Sequence, residues 1–147
     1  GKRLRVLSLD FVGKESSVFA AGEPLTVRIR WRAGQKFDAV NMKLNIHYRD
    51  SSPVGISHPV TLGAAEPGRV YATTFTFDTS ILSEGQYFFY LDVFERELAG
   101  AICLDKPNQE FAFEITNTDR TLPEWTAGWG HIHFPPVEVL ETEESAQ

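Results

Sequence analysis

Apolar and polar residues alternate along this chain in runs that predict strands. Over residues 25–32, Leu25, Val27, Ile29 and Trp31 interleave with Thr26, Arg28, Arg30 and Arg32. Successive side chains of an extended chain point to opposite sides, so this period of two gives a strand with one dry and one wet face. A second run sets Val40, Met42, Leu44, Ile46 and Tyr48 against Asn41, Lys43, Asn45, His47 and Arg49. Further strands are predicted over residues 4–12, over 70–78 with Tyr71, Phe75 and Phe77 inward, over 87–94, and over 109–116 with Phe111, Phe113 and Ile115 inward. Turn-forming clusters separate them: Ala21-Gly22-Glu23-Pro24, Asp50-Ser51-Ser52-Pro53, Glu66-Pro67-Gly68 and Lys106-Pro107-Asn108. Between Pro53 and Pro59, residues 54–58 fit only a short edge strand, because proline has no N–H to give a central ladder. No long amphipathic helix is visible, and residues 79–83 leave room for a single helical turn before Gly85. Short strands at regular spacing predict an all-β sandwich, not a layered α/β fold.

A chain of 147 residues is the usual size of one domain. The pattern divides it into a sandwich over residues 1–121, a C-terminal extension over 122–140, and a disordered acidic tail over 141–147. The extension holds two of the three tryptophans and three of the eight prolines, and reads as an arm or strand, open to exchange between protomers. Of the net charge of −6, four units come from Glu138, Glu141, Glu143 and Glu144, leaving −2 for the body. Such a surface has no basic excess to neutralise a phosphate backbone, which argues against nucleic acid as a partner. Cys103 is the only cysteine, so an intrachain disulfide and a thiolate zinc site are excluded, in keeping with a reducing compartment. No apolar run reaches membrane-spanning length, and the expectation is a soluble domain, cut from a longer protein since the sequence opens on Gly1.

Catalytic signatures are missing: there is no glycine-rich phosphate loop, no Gly-x-Ser-x-Gly elbow and no His-Glu-x-x-His. Asp92 and Glu95 are the nearest approach to a glycosidase carboxylate pair. His131 and His133 share one side of a strand-like segment, but no third metal ligand accompanies them. Residues 87–94 are more informative. Tyr87, Phe89, Leu91 and Val93 make one face and Phe88, Tyr90, Asp92 and Phe94 the other, so aromatic rings point both ways. One set fills the core; the other packs under a loop or forms a platform on which the C–H faces of a sugar stack while polar neighbours bind its hydroxyls. The wet faces of the earlier strands offer such neighbours, and the expected carbohydrate-binding set is Arg28, Arg30, Asn45, His47, Arg49, Phe88, Tyr90 and Asp92. Trp125 and Trp129, with His131 and His133, are expected to cover a surface through the arm, their own or that of a second copy.

One resemblance brings these readings together. Phe19, then Gly22-Glu23-Pro24-Leu25 leading into Val27-Arg28-Ile29, then Leu82, Gly85-Gln86-Tyr87, Asp105 and the closing Phe111-Ala112-Phe113-Glu114-Ile115 resemble the C-terminal domain of Wzt-type ATP-binding subunits of ABC transporters that export O-antigen and related polysaccharides. The Gly-x-Tyr step is also similar to the tyrosine corner of Ig-like sandwiches. The sequence departs from the expected pattern at Asp50-Ser51, where a glycine is expected after the aspartate.

The resemblance implies an Ig-like or jelly-roll-type antiparallel β-sandwich with a C-terminal extension, dimeric by exchange of C-terminal strands. It further implies a non-catalytic domain that needs no cofactor of its own, ATP being confined to the parent subunit. That subunit would work with a transmembrane permease at the cytoplasmic face of the inner membrane, and the domain would recognise the exported polysaccharide. The alternative is a protein-interaction or dimerisation module with no affinity for glycans.

Overall fold

Leu25, Val27, Ile29, Trp31 and Ala33 are all buried, while Arg28, Arg30 and Arg32 between them are exposed. The clearest alternation in the sequence thus becomes the middle strand of one of two sheets. The computed structural model describes residues 3–95, 103–105 (as backbone), 111–118 and 124–145. The turn expected at Lys106-Pro107-Asn108, the first two residues of the strand expected over 109–116, and the junction of sandwich and arm at 121–122 lie outside the described residues.

The strands are β1 (Leu4–Phe11), β2 (Val18–Ala20), β3 (Leu25–Ala33), β4 (Phe37–Tyr48), β5 (Pro53–Ile56), β6 (Val60–Ala65), β7 (Val70–Phe77), β8 (Gly85–Phe94), β9 (Cys103–Asp105) and β10 (Phe111–Thr116). Single 3₁₀ turns occupy Thr79–Ile81 and Ala127–Trp129. The smaller sheet has the antiparallel order β1-β3-β7. The larger, seven-stranded sheet runs β2-β10-β8-β4-β5, with β6 beside β5 on the far edge of β4 and β9 beside β10 on β8. Every pair is antiparallel except β2 with β10. The fold is an all-β sandwich. The proline-flanked segment lies at the sheet edge as β5, as its missing donors require.

Between the sheets lies one apolar core. Trp31, Tyr87, Phe19, Phe37, Phe89 and Phe113 are among its fully buried side chains, each contributing roughly 1.5–3 kcal/mol by leaving water. Trp31 stacks on Tyr71 at 4.8 Å, and its Nε1 donates to Thr73 Oγ1 at 3.0 Å, so the indole is both packed and satisfied. Phe11 of the smaller sheet meets Phe19 and Phe89 edge-on at 5.4 and 6.2 Å, joining the two layers. At the start of β8 the Tyr87 hydroxyl donates to Ser83 O at 2.7 Å and lies 3.0 Å from Ser83 Oγ. This ties the turn before the strand to the core, as a tyrosine corner does. Gly85, at φ 148°, lets the Tyr48 ring pack closely on the start of the strand: a Cβ there would meet Tyr48 Cε1 at 3.1 Å.

Past the sandwich, the described part of the arm returns to the body beside the turn that precedes β8. Ile132 bridges Leu82, Ser83 N donates to His131 O at 2.9 Å, and His133 N donates to Ile81 O at 2.7 Å. Residues 134–145 have no regular structure and are exposed throughout.

Candidate functional site

The outer faces of β4 and β8 meet in a fixed register. His47 lies opposite Phe88, Asn45 opposite Tyr90, Lys43 opposite Asp92, and Asn41 opposite Phe94. Alternation explains the arrangement: the odd positions of β4 and the even positions of β8 turn away from the core because their neighbours Met42, Leu44, Ile46, Phe89, Leu91 and Val93 are buried in it.

Three rings cluster at one end of this face. The His47 ring is 5.0 Å from that of Tyr90 and 5.5 Å from that of Phe88, and Phe88 and Tyr90 meet edge-on at 5.7 Å. His47 Nδ1 lies 3.2 Å from both the Tyr90 hydroxyl and Ser51 O. With Nδ1 bare it accepts from Tyr90; with Nδ1 protonated it donates to the carbonyl. Asp50 holds the turn that supplies this carbonyl, its Oδ1 accepting from Ser52 N and Ser52 Oγ. Those bonds, the side-chain one foremost, hold the Asp50 carboxyl below its ordinary pKa. At the other end Lys43 Nζ sits 5.7 Å over the Phe94 ring, Asn41 Nδ2 donates to Glu95 O at 3.3 Å, and Asn41 Oδ1 accepts from Thr61 at 2.8 Å. The face thus offers the half-buried rings of His47 and Tyr90, above the buried Phe88 and Phe94, with amide, ammonium and carboxylate groups in adjacent rungs, and can stack a flat apolar surface while exchanging hydrogen bonds at its rim.

The expected site residues divide. Asn45, His47, Phe88, Tyr90 and Asp92 come together here. Arg28 and Arg30 do not: β3 belongs to the other sheet, and both arginines project from the opposite surface of the sandwich, with the whole core between. Arg49 follows the end of β4, and its guanidinium packs 5.5 Å over the Tyr48 ring instead of joining the face. Phe88 points outward as expected but is only 9% exposed, so it is a floor beneath His47 and Tyr90, not a free platform. Glu95 lies past the end of β8 and contributes its carbonyl. Lys43 and Asn41 were missing from the expected set, although the same alternation that marks Asn45 and His47 marks them.

In the arm, Trp125 is half-buried, its ring 3.8 Å from His133 and 5.3 Å from Trp129, with Nε1 donating to Gly130 O at 2.7 Å. His131 stacks on Tyr48 at 3.9 Å. The two histidines pack against separate rings and do not converge, and no cluster of metal-binding side chains occurs among the described residues. Trp129 is 62% exposed.

A search of solved structures finds this sandwich in the C-terminal domain of Wzt, with a TM-score of 0.71 over 96% of this chain and 86% of that one, at 12% sequence identity. The fold is similar to that of the Wzt domain. A Niemann-Pick type C2 protein from Japanese carpenter ant also resembles it, at TM-score 0.58 and 10% identity over 79% of this chain and 96% of that one. So does part of a β-glucosidase from Erythrobacter marinus, at TM-score 0.54 and 14% identity over 78% of this chain and 16% of that one. No family model matches the sequence, and no curated protein matches it. The likeness to the Wzt domain extends beyond the two sheets, since it covers nearly the whole chain. No helix of the described residues is long and apolar enough to cross a membrane.

Proposed function

We propose that this chain is a non-catalytic carbohydrate-binding domain of a Wzt-like ATP-binding subunit, serving a polysaccharide exporter of the O-antigen type. The glycan lies on the outer face of the larger sheet. The observation that carries this reading is the ring cluster of His47, Phe88 and Tyr90, set in register with Asn45, Lys43 and Asp92. Sugars present apolar C–H faces bordered by hydroxyls, and this surface has rings for the first and donors and acceptors for the second. In the assembled protein the domain works at the cytoplasmic face of the inner membrane, where the parent subunit meets its permease.

The test is binding of the isolated domain to an array of bacterial polysaccharides, followed by calorimetry on the best ligand. Tyr90→Ala and Asn45→Ala are expected to weaken binding roughly tenfold each, about 1.4 kcal/mol, with circular dichroism unchanged. Arg28→Ala, on the far surface, leaves affinity as it was. Unaltered affinity in both face variants sinks the assignment.

A second role, homodimerisation through the arm, is supported by exposed apolar residues that one copy leaves uncovered: Phe134, Val137 and Leu140 are 85%, 89% and 87% exposed. Strand exchange with a second copy would bury them. An apolar cleft of about 110 Å³ between Leu44, Ile46, Val54, Phe77 and Ile81, beside Ile132, lies where such a strand would arrive.

A further inference from the structure

The outer face of the smaller sheet carries a charge pattern that glycan binding does not use. Arg28, Arg30 and Arg32 project from β3 at every second residue, and Arg5 of β1 lies directly opposite Arg32. All four are exposed. Like charges facing across a strand pair repel. Among the described residues none of the four makes an ion pair, and the single carboxylate in their register is Asp10, opposite Arg28. On the other flank β7 presents Val70, Ala72 and Thr74 opposite Arg32, Arg30 and Arg28, so the arginines rise from small or aliphatic neighbours. The face is a cationic strip without its counterion.

This chain supplies one. No Lys or Arg follows Arg120, while Glu138, Glu141, Glu143 and Glu144 lie in an exposed segment without regular structure. An extended chain rises about 3.3 Å per residue, so Glu141 and Glu143 repeat at roughly the same 6.6 Å interval as Arg28, Arg30 and Arg32. The tail does not lie on its own sheet, every residue from Phe134 to Ser145 being exposed. We infer that the arginine face of the smaller sheet is a docking surface for the acidic segment 138–144 of a second copy of this chain. An anionic lipid surface would satisfy the arginines as well, but would leave the four glutamates of the same chain without a partner; a second copy accounts for both. The contact is independent of the glycan face, which lies across the core, and it uses side-chain charge, whereas exchange of the arm uses backbone hydrogen bonds.

Sedimentation of the full chain tests this at about 0.01 M and about 1 M salt, where charges are screened beyond roughly 30 Å and 3 Å. Self-association is expected to be roughly tenfold weaker in the high salt. One variant reverses the face (Arg28→Glu, Arg30→Glu, Arg32→Glu) and another the tail (Glu141→Arg, Glu143→Arg, Glu144→Arg). Each alone should lose the salt-sensitive association, and a mixture of the two should recover it, because each tail then meets a face of opposite charge on the other chain. The tail variant lies outside the packed sheets, so it stays readable even where the face variant folds poorly. Three results overturn the inference: association indifferent to both reversals; a mixture that recovers nothing while both variants are folded; or a face variant that self-associates normally but no longer binds phosphatidylglycerol vesicles.

Discussion

Ser51 is the one described non-glycine residue with its backbone in the left-handed region, at φ 69°. An L-residue is held there at a cost of about 1–2 kcal/mol, and this is where the sequence pattern leads one to expect glycine. The Asp50–Ser52 hydrogen bonds and the contact of His47 with Ser51 O hold the turn in place despite it. Ser51→Gly is expected to raise stability by a few tenths to about 1 kcal/mol, the relieved strain being partly offset by the freer unfolded chain; urea denaturation measures it. Tyr87 gives a second handle at this scale. Burial pushes its hydroxyl above the ordinary value of 10.0, outweighing the opposing hydrogen bond to Ser83. The folded state therefore keeps its proton in a range where the unfolded state has lost it. Stability from this group is complete below pH ~10 and declines as pH rises above that. In Tyr87→Phe this alkaline decline should disappear, at a cost of about 1–3 kcal/mol near neutrality for leaving Ser83 without its partner. The role of Tyr87 was legible in Gly85-Gln86-Tyr87. The cover over Phe88 was not, because alternation fixes which side a ring takes and says nothing of what lies on top of it.

Elements were legible in proportion to their contrast. β3, β4 and β8 each set bulky apolar residues against polar or outward aromatic ones over at least nine positions, and their inward faces are those the alternation marks. β6 escaped because Gly63, Ala64 and Ala65 give it no amphipathic signal, and β2 because three residues cannot establish a period. The arm illustrates a different limit: its tryptophans were conspicuous, yet what fastens it to the body is the backbone of His131 and His133 and the ring of His131 on Tyr48. Removing residues from Glu124 onward strips the buried Ser83 of its backbone acceptor and uncovers Leu82 and Tyr48. Such a truncation is expected to cost about 2–3 kcal/mol in a denaturation experiment, and, on the proposed exchange of arms, to yield a monomer in sedimentation.

At the scale of the whole molecule, what the sequence could not convey was sheet membership. Strand alternation is a local property, whereas the partner of each strand is set by long-range pairing that turns and chain reversals decide. Arg28 and His47 look alike in their strands, yet β3 sits between β1 and β7 while β4 pairs with β8. The polar faces expected to make one site are therefore two, back to back. Each has its own chemistry: rings and mixed polar groups on one, arginines on the other. A variant impaired on one side is accordingly expected to behave as wild type in the assay for the other, since sites separated by a core and sharing no partners respond independently.

The parallel pairing of β2 with β10 also bears on how this molecule comes into being. Val18, Phe19 and Ala20 align with Glu114, Ile115 and Thr116, and among the described residues β10 is the one sheet neighbour of β2. During synthesis the early segment must wait, unpaired, until nearly the entire sandwich has left the ribosome. Addition of β2 to the edge of the larger sheet is then a late event, and refolding in vitro belongs on the millisecond-to-second scale of domains dominated by distant contacts.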